Sequence, residues 1–104
     1  MPAAVDGAVA VDSDGTVRIS GRLELDTVPA LAAQGSTLFS GRTAVTIDLA
    51  AVERSESAGL ALLLEWQRTA LAAGCAVTYR NVPASLRSIA TACGVDAVLA
   101  LDAD

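Results

Sequence analysis

The sequence predicts an α/β fold, a small mixed β-sheet of four to five strands with helices packed on it, and three observations lead there. Runs rich in β-branched residues alternate with stretches of helical period across short connections, an order that favours parallel or mixed pairing. The run Ala44 to Leu49 sets Val45, Ile47 and Leu49 on one face and Thr46 and Asp48 on the other, as a strand with one covered face does. The stretch Glu53 to Gly74 combines a polar turn, an apolar run of helical spacing and a glycine where a helix stops. At 104 residues the chain can bury one core without disulfide or metal support, so residues 1–104 are read as a single domain.

Val5, Val9 and Val11 alternate with small or polar residues before the turn Asp12-Ser13-Asp14-Gly15, and Thr16 to Ile19 follows, which reads as a hairpin. Gly21 to Asp26 reads as a loop closing on Asp26 or Thr27 as a helix cap, with Pro29 in the first turn, where its missing N–H does no harm. That helix is expected to reach about Phe39, burying Val28, Leu31, Ala32, Leu38 and Phe39, and to end at Ser40-Gly41-Arg42. Ala44 to Leu49 is read as a central strand, and Val52 is expected to pin the following turn into the core. In the long helix, at ~100° per residue, Leu60, Leu63, Leu64, Gln67, Ala70 and Leu71 form a core-facing stripe. Ala58, Ala61 and Leu62 lie opposite with Trp66 on the flank, so the first turns are apolar nearly all round and call for cover by the fold or by a partner. Gly74 ends this helix, and Cys75 to Arg80 is the next strand, with Cys75, Val77 and Tyr79 alternating. Asn81-Val82-Pro83 opens a further helix, where Leu86, Ile89, Ala90 and Cys93 keep helical spacing until Gly94, and Ala97 to Leu101 is read as a last strand.

Composition excludes several functions. A net charge of −5, with Lys and Arg totalling 7, disfavours nucleic acid and anionic membrane surfaces. One Phe, one Tyr and one Trp give no platform for stacking bases. The absence of His removes the commonest general base and metal ligand, and neither a nucleophile elbow nor a phosphate-cradling glycine loop is present. No catalytic, cofactor-binding or metal-binding residue is therefore expected. Asp12 and Asp14 are read as turn residues rather than paired catalytic carboxylates. Cys75 and Cys93, lacking a CxxC spacing and set among apolar residues, are expected to be buried reduced thiols. Residues 1–11 do not resemble a signal peptide, and the apolar run Ala58 to Leu64 falls far short of the ~20 residues of a membrane span, so a soluble, cytoplasmic protein without direct membrane insertion is expected.

Ser57 stands where the long helix begins. As an N-cap it would contribute ~1 kcal/mol, and as a phosphoacceptor it would place up to about two negative charges beside Glu56, at the positive end of the helix dipole. Both readings stay open on the residues alone.

The segments Val45-Thr46-Ile47-Asp48-Leu49, Glu56-Ser57-Ala58-Gly59-Leu60 and Val82-Pro83-Ala84-Ser85-Leu86 resemble the STAS domain of anti-sigma factor antagonists and related proteins. Gly21-Arg22-Leu23-Glu24 resembles the family's Gly-x-Leu-Asp turn, and Glu24 and Glu56 stand where the family usually has Asp. The resemblance covers about residues 5–101 and implies a STAS-like fold and a non-enzymatic interaction domain. It places Ser57 at the position phosphorylated in the sigma-regulating branch. The run Ala58 to Leu64 is similar to the MlaB branch, the STAS subunit of a phospholipid-trafficking ABC transporter of the MlaFEDB kind, which serves outer-membrane lipid asymmetry. That similarity implies binding to the cytoplasmic ATPase subunit through Glu56, Ser57, Ala58, Ala61, Leu62 and Trp66, and membrane association only through the transporter complex. The alternative it implies is an anti-sigma factor antagonist whose partner kinase phosphorylates Ser57.

Overall fold

The computed structural model describes residues 8–95 and 99. Strands β1 (Ala8–Val11), β2 (Val17–Leu23), β3 (Ala44–Ser55) and β4 (Ala76–Arg80) form one sheet in that order. β1 is antiparallel to β2, whereas β2 with β3 and β3 with β4 are parallel. Helices α1 (Val28–Ala33) and α2 (Gly35–Phe39) join β2 to β3, α3 (Ser57–Ala72) joins β3 to β4, and α4 (Ala84–Ala92) follows. The two crossover connections put their helices on the same face of the sheet, where α1 and α2 pack against α3. One core results, in which Val17, Ile19, Val45, Ile47, Leu49, Val77 and Tyr79 meet Leu31, Leu60, Leu63 and Leu86. The mixed sheet with packed helices is the fold the sequence predicts, and β3 is one of its two central strands. The expected strand Ala97 to Leu101 lies outside the described residues apart from Leu99.

Four expectations change. Gly21 to Leu23 belongs to β2 rather than to a loop, and Val52 lies in strand rather than in a turn after Leu49: extra residues on β3 at the register shifts between Arg18 and Ser20 and between Gly21 and Arg22 let the two strands stay paired as far as Ser55. The helix expected to reach Phe39 is broken between Ala33 and Gly35. A Cβ on Gly35 would stand 2.7 Å from Trp66 Cδ1, so the break sits where the backbone passes tight against the indole. Thr27 occupies the N-cap of α1 without a side-chain cap bond, because its hydroxyl is used in the preceding turn.

The fourth change is in α3. Leu60, Leu63 and Ala70 are buried as the stripe predicts, but Leu71 is 78% exposed, whereas Leu62 and Trp66 are completely buried. The reason is that α3 is covered twice. The sheet takes one side, and the α1–α2 pair takes the flank that the sequence left open. Trp66 Nε1–H donates to the Leu31 carbonyl at 3.2 Å, and its ring meets Phe39 edge-on at 6.5 Å. On the sheet side the Tyr79 hydroxyl donates to the Leu63 carbonyl at 2.8 Å, and burial pushes that phenol above its ordinary value.

Candidate functional site

Three pieces of the chain converge at the carboxyl ends of the parallel strands, the end of an open α/β sheet where loops and helix N-termini gather. The first is the start of α3. Glu56 is its N-cap residue and Ser57 its first helical residue, and no side-chain hydrogen bond caps the helix. The expectation of Ser57 as a capping residue is thereby corrected: it sits one residue too far along the chain. Glu56 N–H donates to the Leu23 carbonyl at 3.1 Å, and Gly59 N–H to the Glu56 carbonyl at 2.8 Å, so the helix start is tied to the end of β2. A Cβ on Gly59 would lie 3.1 Å from Leu23 Cβ, and the missing side chain lets α3 descend onto that strand.

The second piece is the turn after β2. Thr27 N–H and Val28 N–H both donate to the Glu24 carbonyl at 3.0 Å, while Glu24 N–H donates to Thr27 Oγ1 at 3.0 Å and the Thr27 hydroxyl donates to the Arg22 carbonyl at 2.7 Å. The Glu24 carboxylate lies 3.0 Å from Arg22 Nη1 and 3.5 Å from Arg54 Nε. The third piece is the start of α4, where Ser85 Oγ lies 3.1 Å from Ser55 Oγ at the end of β3.

Beneath this platform Asp48 holds the strands in place. Its Oδ2 lies 3.2 Å from Arg18 Nη1, and its Oδ1 accepts from Asn81 Nδ2 at 3.0 Å and from Ala50 N–H at 2.9 Å. Ala50 lies in the bulged segment of β3, and Asn81, at φ 56, makes the left-handed turn toward α4. Burial alone raises the Asp48 carboxyl, but the hydrogen bonds from Asn81 and Ala50, with the charges of Arg18 and Arg80, hold it below its ordinary value.

Of the residues expected to meet a partner, Glu56, Ser57 and Ala61 are exposed at this end and Ala58 is half-buried. Leu62 and Trp66 are not surface anchors, since both lie wholly inside the core beneath α1 and α2. Leu25, 80% exposed, is a residue the sequence reading passed over. Leu23 and Leu25 would share a face if β2 continued, and only the turn after Leu23 separates the buried leucine from the exposed one. Among the described residues no pocket and no cluster of metal-ligating side chains is present.

A family model described as "Mlab, STAS domain" matches residues 7–101. No curated protein matches the chain. Among solved structures, a chain of the Acinetobacter MlaFEDB complex in an ATP-bound conformation superposes with a TM-score of 0.77 at 20% identity, covering 91% of this chain and 99% of that one. An anti-sigma factor antagonist from Mycobacterium paratuberculosis gives 0.73 at 23% identity, covering 94% and 85%. The phosphorylated Bacillus cell fate determinant SpoIIAA gives 0.66 at 19% identity, covering 94% and 92%. At these identities the likeness is one of fold.

Proposed function

The chain belongs to the Mlab STAS-domain family, and from that membership we propose that it is a non-enzymatic subunit of an MlaFEDB-like ABC phospholipid transport system. In this reading it binds and stabilises the cytoplasmic ATPase subunit and needs no cofactor. It is cytoplasmic and meets the membrane only through the transporter complex; among the described residues no helix is long and apolar enough to cross a bilayer. The observation that carries the reading is the exposed start of α3, where Glu56, Ser57 and Ala61 stand in solvent at the carboxyl end of the sheet. A rigid, small-residue helix start lets a partner surface approach closely.

A second reading, antagonist of an anti-sigma factor, is favoured by one feature. The Ser57 hydroxyl is exposed and engaged in no cap, as a kinase substrate requires. Co-expression with the ATPase subunit of the same genome and, separately, with its anti-sigma kinases distinguishes the two. Stable co-purification with the ATPase is the expected result. Exclusive capture by a kinase, with phosphate on Ser57 by mass spectrometry, would replace the first reading with the second.

A further inference from the structure

Leu25 is 80% exposed, yet the turn that carries it is held from both directions. The Glu24 carbonyl accepts from Thr27 N–H and Val28 N–H. The Thr27 hydroxyl binds the Arg22 carbonyl and accepts from Glu24 N–H, and the Glu24 carboxylate is clasped by Arg22 and Arg54. None of these bonds involves the Leu25 side chain, and it is no part of the core cluster. The chain thus fixes a large apolar side chain in solvent, where a flexible loop would have let it fold back. With the backbone of the turn already held, a partner that takes up this side chain need order only its rotamers.

The surroundings define the partner's chemistry. The same turn ends in exposed Asp26, and the neighbouring segment bears exposed Glu53 and Glu56. Across 22–26 and 53–57 the carboxylates of Glu24, Asp26, Glu53 and Glu56 outnumber the guanidiniums of Arg22 and Arg54, and both guanidiniums already face Glu24. We propose that Leu25 is the apolar anchor of the partner contact, seated in an apolar pocket rimmed by Lys and Arg on the protein that docks at Ser57. The Glu56 N–H bond to Leu23 makes the two turns one surface. The proposal rests on the reading that the ATPase subunit docks at this end, and it adds the residue and the charge that recognise it.

Calorimetric titration of the full chain into the purified cognate ATPase subunit, at low and at high salt, tests both. Leu25→Ala is expected to weaken binding about tenfold or more with unchanged melting temperature, as loss of an interface anchor does. Leu71→Ala removes an equally exposed leucine about 20 Å along α3 from Ser57 and should stay within about twofold of wild type. Asp26→Asn is expected to weaken binding at low salt more than at high salt, the behaviour of a charge facing a cationic rim. If wild type binds and Leu25→Ala binds equally well, the anchor is refuted while the docking of the ATPase stands. If Asp26→Asn is indistinguishable from wild type at low salt, the cationic rim is refuted. Wild type failing to bind the ATPase overturns both readings, and vesicles of phosphatidylethanolamine and phosphatidylglycerol that bind wild type but not Leu25→Ala would assign Leu25 to lipid instead.

Discussion

Asp48 shows how one side chain can set the geometry of a surface that it does not join. Its carboxylate ties β2 through Arg18, the β3 bulge through Ala50 and the turn into α4 through Asn81. Hydrogen bonds to a charged group contribute more than neutral ones, and Asp48→Asn keeps the shape while removing the charge, so a loss of ~1–3 kcal/mol in denaturant-measured stability is expected. Because the folded-state carboxyl titrates below its ordinary value, the charged form stabilises the fold above the unfolded pKa of about 3.9, and that contribution is lost as pH falls through the folded value. Wild type should therefore lose stability more steeply than Asp48→Asn as pH is lowered below about 4. Parallel acid limbs for the two proteins would show that Asp48 holds no charge-dependent contact.

At the scale of elements, α3 and α4 end alike, and the likeness sorts the two thiols. In each helix the residue after the terminal glycine bonds back to the helix: Cys75 N–H to the Ala70 carbonyl at 2.8 Å, and Val95 N–H to the Ala90 carbonyl at 3.0 Å. Gly74 and Gly94, at φ 72 and 73, supply the left-handed step, and the residue beyond each turns back toward the core. Cys75 follows its glycine and is buried; Cys93 precedes its glycine and is exposed, contrary to the expectation that both are buried. Native protein should thus react with a thiol reagent at Cys93 and spare Cys75 until it unfolds, which mass spectrometry of the labelled peptides checks.

The same scale corrects α3. Helical spacing located the stripe of Leu60, Leu63 and Ala70, but it could not show that α1 and α2 would cover the other flank. That cover depends on the break near Gly35 and on the long-range bond from Trp66 to Leu31. Trp66→Ala is now expected to cost ~3–5 kcal/mol and Leu62→Ala ~2–5 kcal/mol, read as lowered melting temperature, while Ala61→Ser should melt like wild type. An unchanged melting temperature for Trp66→Ala would put the indole back on the surface.

Across the whole molecule, the features written into local sequence were legible: a central strand over Ala44 to Leu49, the period of α3 and the glycine stops. What depended on residues distant in sequence was not. The length of β3 reflects the extra residues it carries beside β2, the burial of Leu62 and Trp66 reflects a neighbouring helix pair, and the exposure of Leu25 reflects where β2 stops. The end proposed to meet a partner was read in sequence at Glu56, Ser57 and Ala61, but the Glu24 to Thr27 turn beside it is built by hydrogen bonds that no periodicity encodes.

Ser57 is exposed and the start of α3 is tied to β2 through backbone groups alone, so a side-chain change there should alter recognition without loosening the fold. Ser57→Asp lengthens the side chain at a helix start that the partner must approach closely, while acidic residues suit the first turn of a helix. The decisive measurement is the affinity of folded Ser57→Asp for the ATPase subunit, taken together with its melting temperature. Melting within about 2 °C of wild type and binding weakened by ~1–3 kcal/mol or more are expected. Wild-type affinity in a fully folded Ser57→Asp protein would contradict the assignment of this end as the partner surface.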